Sequence, residues 1–145
     1  MKYYFDTSSL MKIYHREKGT ETVLNIYKSQ DEIITSELSK IEFISTICRK
    51  YREHEISHET LTAVIHKFED DVKIRYDEML KFSTLVIDEA WNLICRLSEK
   101  HSLKTQDSIQ FAFFKIYCET DTVFVCSDNK FIKLVENEGV KVLSP

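Results

Sequence analysis

Apolar residues in this chain fall into short runs, separated by longer stretches in which they recur every three or four positions. Tyr3 to Phe5, ending at Asp6, predicts a first strand, and Ser8 to Tyr14 and Thr20 to Ser29 predict helices. Ile33 and Ile34 form a second short strand. Ser36 then caps a long helix through about Arg52, with apolar positions Leu38, Ile41, Ile44, Cys48 and Tyr51. Ser57 caps another helix reaching about Arg75, with Leu61, Val64, Ile65, Phe68 and Val72 on one stripe. Thr84 to Val86 is a brief β-prone stretch, and Asp88 opens a helix carrying Trp91, Ile94, Cys95 and Leu97. Asp107 to Tyr117 is a strongly apolar helix. The chain ends with a strand at Val123 to Cys126, a helix at Asn129 to Glu136 and a strand at Val140 to Leu143.

Short β segments separated by helices predict an α/β fold, with a parallel sheet and helices on both sides. The only glycines are Gly19 and Gly139 and the only proline is Pro145, so no flexible linker can be drawn. With 145 residues and no internal repeat, a single domain over residues 1–145 is the economical reading.

Composition narrows the classes. With 43% hydrophobic and 30% charged residues the chain is globular rather than disordered. A net charge of -4 gives no general basic surface for nucleic acid, but carboxylates that hold cations invert the local charge. Cys48, Cys95, Cys118 and Cys126 form no CxxC pair and read as reduced, mostly buried small hydrophobes, which places the chain in a reducing, cytoplasmic compartment. No leader and no run of about 20 apolar residues is predicted.

The chemistry sits in acids. Asp6 and Asp128 follow the first strand and the penultimate strand, and ligands of open α/β sheets bind beyond the carboxyl ends of the strands. Either acid can also serve as a helix cap, as can Asp107, which opens the most apolar helix. Glu42 lies among apolar residues in the helix that starts near Ser36, where it is either a site acid or a solvated border residue. Carboxylates favour Mg²⁺ or Mn²⁺, and no His/Cys spacing suits zinc, since a break at Glu55-Ile56-Ser57 separates His54 from His58. The glycine-rich phosphate loops and the GxSxG elbow are absent. Lys12, Arg16, Lys40, Lys104 and Lys130 are candidates to position phosphates around such a centre, against the simpler reading of solvated charges.

Four segments in order, Tyr3-Tyr4-Phe5-Asp6-Thr7-Ser8-Ser9-Leu10, Thr35-Ser36-Glu37-Leu38-Ser39-Lys40-Ile41-Glu42-Phe43, Leu103-Lys104-Thr105-Gln106-Asp107-Ser108-Ile109-Gln110-Phe111-Ala112 and Val123-Phe124-Val125-Cys126-Ser127-Asp128-Asn129-Lys130-Phe131, resemble the motifs of PIN-domain nucleases, and most of all the compact VapC-type toxins of toxin–antitoxin pairs. The resemblance covers essentially the whole chain. It implies a PIN-like three-layer α/β/α fold with a short-stranded parallel sheet, and an acidic quartet of Asp6, Glu42, Asp107 and Asp128 as catalytic and metal-binding residues. Thr7 or Ser127 matches a supporting hydroxyl. By the same resemblance the chain is a Mg²⁺- or Mn²⁺-dependent endoribonuclease, the toxin of a type II pair. It would form a homodimer and be inhibited by a small antitoxin, with much of the dimer or antitoxin contact on the helices Ser36 to Arg52 and Ser57 to Arg75. Lys104-Thr105-Gln106 and Asn129-Lys130 depart from the family's usual residues beside two of the acids, which bears on substrate and partner. The alternative is a PIN-like RNA-binding or regulatory module of weak or no activity. Phosphomonoester hydrolysis is disfavoured because Asp6-Thr7-Ser8 lacks a DxD pair, and a purely structural protein leaves the ordered combination of acids unexplained.

Overall fold

The computed structural model describes residues 1–145. The elements run β1 (Lys2–Phe5), α1 (Thr7–Tyr14), α2 (Thr20–Lys28), β2 (Glu32–Ser36), α3 (Glu37–Arg52), α4 (His58–Ile74), β3 (Glu78–Leu80), α5 (Thr84–Leu97), α6 (Thr105–Tyr117), β4 (Val123–Val125), α7 (Asn129–Asn137) and β5 (Val142–Leu143). The strands form one sheet in the order β3-β2-β1-β4-β5, and every neighbouring pair is parallel.

Alternation along the strands splits the core in two, because successive side chains of a strand point to opposite faces. Tyr4, Ile34 and Phe124 face the layer of α5, α6 and α7, while Phe5, Ile33 and Val125 face the layer of α1 to α4. The first layer is aromatic. The Tyr4 and Phe124 rings stack with centroids 5.3 Å apart, and Phe114 meets Phe124 edge-on at the same distance. No helix is long and apolar enough to cross a membrane.

Helix starts follow side-chain caps. Ser36, Ser57 and Ser83 each accept a hydrogen bond from the backbone N–H three residues on. The Ser83 cap corrects the reading of Thr84 to Val86 as a strand and of Asp88 as the helix start. These residues are the first turn of α5, whose buried positions Val86, Ala90 and Leu93 recur at helical spacing. The third strand lies earlier, at Glu78–Leu80, at the sheet edge. Helix α3 is also rotated from its predicted face. Leu38 is buried, but Ile41 is 63% exposed and Ile44 and Tyr51 are exposed, whereas Phe43 and Ile47 are fully buried against Phe5 and Phe68. Among the cysteines, all of which are free, Cys126 is buried, Cys48 and Cys118 are half-buried and Cys95 is exposed.

The corrected face of α3 predicts a contrast within one helix. Ile47→Ala lowers stability by about 2–5 kcal/mol through reduced apolar burial and a cavity, while Ile41→Ala stays within about 0.5 kcal/mol, both read from equilibrium urea denaturation.

Candidate active site

The connections from β1 run to β2 on one side, and β4 lies on the other, so the order of the sheet reverses between β1 and β4. Loops leave in opposite directions at such a point and open a crevice beyond the carboxyl ends of the strands. Asp6 follows β1, and Asp128 follows β4 after Cys126 and Ser127. Glu42 reaches the crevice from the second turn of α3, and Asp107 from the first turn of α6. All four acids line one cleft of about 570 Å³, together with Thr7, Ser8, Gln110, Arg49 and Lys50.

Each acid is held differently. Asp6 is buried and caps α1, accepting from the Ser9 N–H at 2.8 Å and from the Ser8 hydroxyl at 2.8 Å. The Ser8 oxygen in turn accepts from the Ser127 N–H at 3.3 Å, which ties the end of β1 to the end of β4. Glu42 accepts from the Thr7 hydroxyl and, at 3.0 Å, from the Gln110 amide. Asp128 is exposed and caps α7 by accepting from the Lys130 and Phe131 N–H groups. Asp107 is half-buried and has no hydrogen-bond partner within the protein. The cap and site placements of Asp6 and Asp128 therefore coexist.

Gln110 is a site residue that its sequence context did not single out. It sits in the apolar run of α6 and is buried. Its carbonyl accepts from the Tyr4 hydroxyl at 2.6 Å, and its amide nitrogen donates to Thr7, Ser39 and Glu42 at 2.9–3.0 Å. One amide thus links β1, α1 and α3 around Glu42. A buried amide flanked by Phe and Ile on an otherwise apolar helix was the available signal, since such a group requires partners.

Electrostatically the acids are unrelieved. None of the four forms an ion pair, while eleven other acids do. Arg49 and Lys50, which line the same cleft, are engaged with Glu53 and Glu55. Burial pushes the Asp6 carboxyl above its ordinary value, against hydrogen bonds from the Ser9 N–H, Cys126 and Ser8. Burial also raises Asp107, with Lys104 opposing and the charges of Asp128, Asp6 and Glu42 adding to the rise. The buried Cys126 thiol is raised by burial and by Asp6, so it stays protonated beside that carboxylate.

The donor set suits a hard divalent cation, since the carboxylates on the cleft offer only oxygen. No three His, Cys, Asp or Glu side chains stand close enough to hold an ion by themselves. An ion held there would need part of its coordination from water, which Mg²⁺ commonly retains.

The predicted phosphate-positioning cations divide. Lys12 is buried and bound to Glu17 and to the Lys18 carbonyl, so it fastens the loop after α1 and is absent from the cleft lining. Arg16 and Lys40 likewise lie outside the cleft lining, whereas Lys104 and Lys130 stand beside Asp107 and Asp128. Arg49, Lys50, Lys100 and Lys133 were missed, because only the placement of α3, α7 and the α5–α6 loop brings them near.

A model of the PIN domain family matches residues 3–137. VapBC2 of Rickettsia felis, bound to a DNA fragment from its promoter, is similar in fold with a TM-score of 0.69, at 14% identity over 100% of this chain and 99% of that one. VapC20 of Mycobacterium tuberculosis, a sarcin–ricin-loop-cleaving toxin, gives 0.70 at 14% identity over 99% and 100% of the two chains. A toxin–antitoxin complex from Klebsiella pneumoniae gives 0.61 at 15% identity over 99% and 98%. Comparison with curated protein sequences gives no match.

The raised carboxyl of Asp107 sets a pH dependence for the metal-free protein. A carboxyl whose value is higher folded than unfolded takes up a proton on folding, so its ionisation lowers stability as pH rises through that range. Asp107→Asn therefore raises the Tm in chelator at neutral pH, and the gain shrinks to nothing as pH falls below the ordinary carboxylate value. Added Mn²⁺ raises the Tm of the natural chain more than that of the variant.

Proposed function

The chain belongs to the PIN-domain family, and from that premise we propose that it is a divalent-metal-dependent endoribonuclease, the toxin of a type II toxin–antitoxin pair. The observation that carries this reading is the shared cleft of Asp6, Glu42, Asp107 and Asp128, acids drawn from separate elements and left without cations in ion-pair reach. Caps and surface acids have no reason to be assembled in this way. Likeness to a sarcin–ricin-loop-cleaving toxin supports RNA as the substrate class.

In this reading Asp6 and Asp128 hold Mg²⁺ or Mn²⁺ from the ends of β1 and β4, with Glu42 and Asp107 contributing directly or through water. A bound ion lowers the pKa of a coordinated water and stabilises charge on the scissile phosphate. Ser8 and Cys126 keep the Asp6 carboxylate oriented, and Thr7 with Gln110 keeps that of Glu42. Asp107, which has no internal partner, is the acid freest to orient a water molecule. Partners belong to the reading too: an antitoxin, by likeness to the Klebsiella toxin–antitoxin complex, and a second copy of the chain, by the motif resemblance alone. Two exposed apolar faces are what such partners have to bury, Ile41 and Ile44 on α3 near the cleft, and Ile87 and Trp91 on α5.

The test is incubation of purified protein with a mixed cellular RNA pool and Mn²⁺ or Mg²⁺, beside an Asp6→Asn variant and a chelated control. Discrete fragments that vanish in both controls are expected. Metal binding without cleavage favours the PIN-like RNA-binding or regulatory module, and failure to bind metal removes the site assignment. With cleavage established, Gln110→Leu costs about 10–100-fold in metal affinity or kcat, as loss of a group orienting a ligand does. KM for RNA stays nearly unchanged, because the Gln110 amide is occupied by Tyr4, Thr7, Ser39 and Glu42.

A further inference from the structure

A second cavity of about 550 Å³ adjoins the acid cleft, and Asp107, Asp128 and Phe131 form the wall common to both. Half of its remaining lining is basic: Lys100, His101 and Lys104 come from the loop that leads into α6, and Lys130 and Lys133 from α7, the rest being neutral. These four lysines make no ion pair, although nine of the chain's 20 Lys and Arg residues do. The only acids on the cavity are the two that it shares with the cleft. In a chain of net charge -4, positive charge is therefore concentrated on one side of the carboxylates.

We propose that this lysine pocket is the subsite that receives the backbone phosphates flanking the scissile bond of a single-stranded RNA, so that the strand runs from the acid cleft over the Asp107–Asp128 wall and across α7. The identity of the strand as RNA rests on the nuclease reading above. Four free ammonium groups around an open cavity offer point charges to phosphate oxygens. The start of α6 adds to this, since Lys104 stands at the N-cap position without a side-chain cap and the first N–H groups of the helix are unsatisfied. Apart from Phe131, which is buried, His101 is the only ring in the lining, so the pocket has no platform on which to stack successive bases. It contributes affinity and strand direction, and leaves base recognition to other surfaces. The other cations on the cleft, Arg49 and Lys50, have Glu53 and Glu55 as ion-pair partners, whereas the pocket lysines have none.

The test is fluorescence anisotropy of a labelled single-stranded RNA of about a dozen nucleotides, titrated in Mg²⁺ at several salt concentrations. The proteins are Asp6→Asn and the same variant carrying Lys100→Ala and Lys133→Ala, the two lysines farthest in sequence from the carboxylates. Affinity is expected to fall about tenfold or more, and the slope of log affinity against log salt to become shallower by about 1.4, some 0.7 for each phosphate of a single strand that no longer meets an ammonium group. Arginine at both positions restores the slope. An unchanged affinity and slope overturn the pocket, as does a lysine-dependent affinity for an acidic peptide with none for RNA. Cleavage of RNA by the natural chain is followed separately. If it cuts RNA but the slopes coincide, the pocket falls and the nuclease reading stands; if it does not cut but the lysine dependence holds, the nuclease reading falls, and with it the flanking of a scissile bond, leaving the pocket as a site for the RNA backbone alone.

Discussion

Asp6 occupies an almost dry position at the end of the central strand, with no cation in ion-pair reach and three other carboxylates on the same cleft. Left alone, such an assembly repels itself and opposes folding. It persists because every backbone around it is fixed by something else. Parallel pairing of β1 with β2 and β4 fixes the strand ends, two of the acids cap helices, and Ser8 joins the first strand end to the fourth. The acids are thus held together by strand pairing and helix capping against their mutual repulsion, and only the caps gain from their charge.

The same economy shows in the two cores. Adjacent residues of each central strand serve opposite layers, Tyr4 and Phe5 being the clearest pair. Tyr4 does more than pack, since its ring stacks on Phe124 while its hydroxyl meets the Gln110 carbonyl. The aromatic layer and the polar network around Glu42 therefore share one side chain. Displacement of α6 against the sheet would disturb Gln110 and, through it, Thr7 and Glu42 together, so packing on the α5–α7 side reaches the carboxylate through hydrogen bonds rather than through the cleft itself.

What could be read from the sequence was what local rules decide. The strand end at Phe5, that of β4, which falls at Val125 one residue before the predicted Cys126, the serine caps at Ser36 and Ser57 and the alternation of short strands with helices carried the parallel α/β architecture and the placement of the acids. Errors arose where two local signals competed. On α3, Ile41 and Ile44 continue a stripe from Leu38 at a spacing of three, while Ser39, Phe43 and Ile47 form another at a spacing of four, and only the sheet decides which face turns inward. At Thr84 to Val86, β-branched residues follow a serine that caps a helix, and the buried series Val86, Ala90 and Leu93 overrides their strand preference. Glu78–Leu80 is a strand because Ile34 to Ser36 lies beside it, a reason invisible in three residues that begin with an acid. Gln110 and the lysines escaped for a related cause: a buried amide and a basic loop acquire meaning only from what the fold sets opposite them.

Charge is therefore sorted in space rather than by amount. An acidic total would seem to exclude a polyanionic partner, yet the carboxylates and the unpaired lysines occupy neighbouring cavities with one shared wall. A cation held in the first cavity and free ammonium groups in the second present one continuous positive path to a strand, whereas the bare protein presents a negative centre beside a positive flank. Lys104, which lowers the raised carboxyl of Asp107, already couples the two. On the proposed reading, a cation in the acid cleft would offset the repulsion that the carboxylates exert on phosphate, so metal and strand would favour one another through the field between the adjacent cavities.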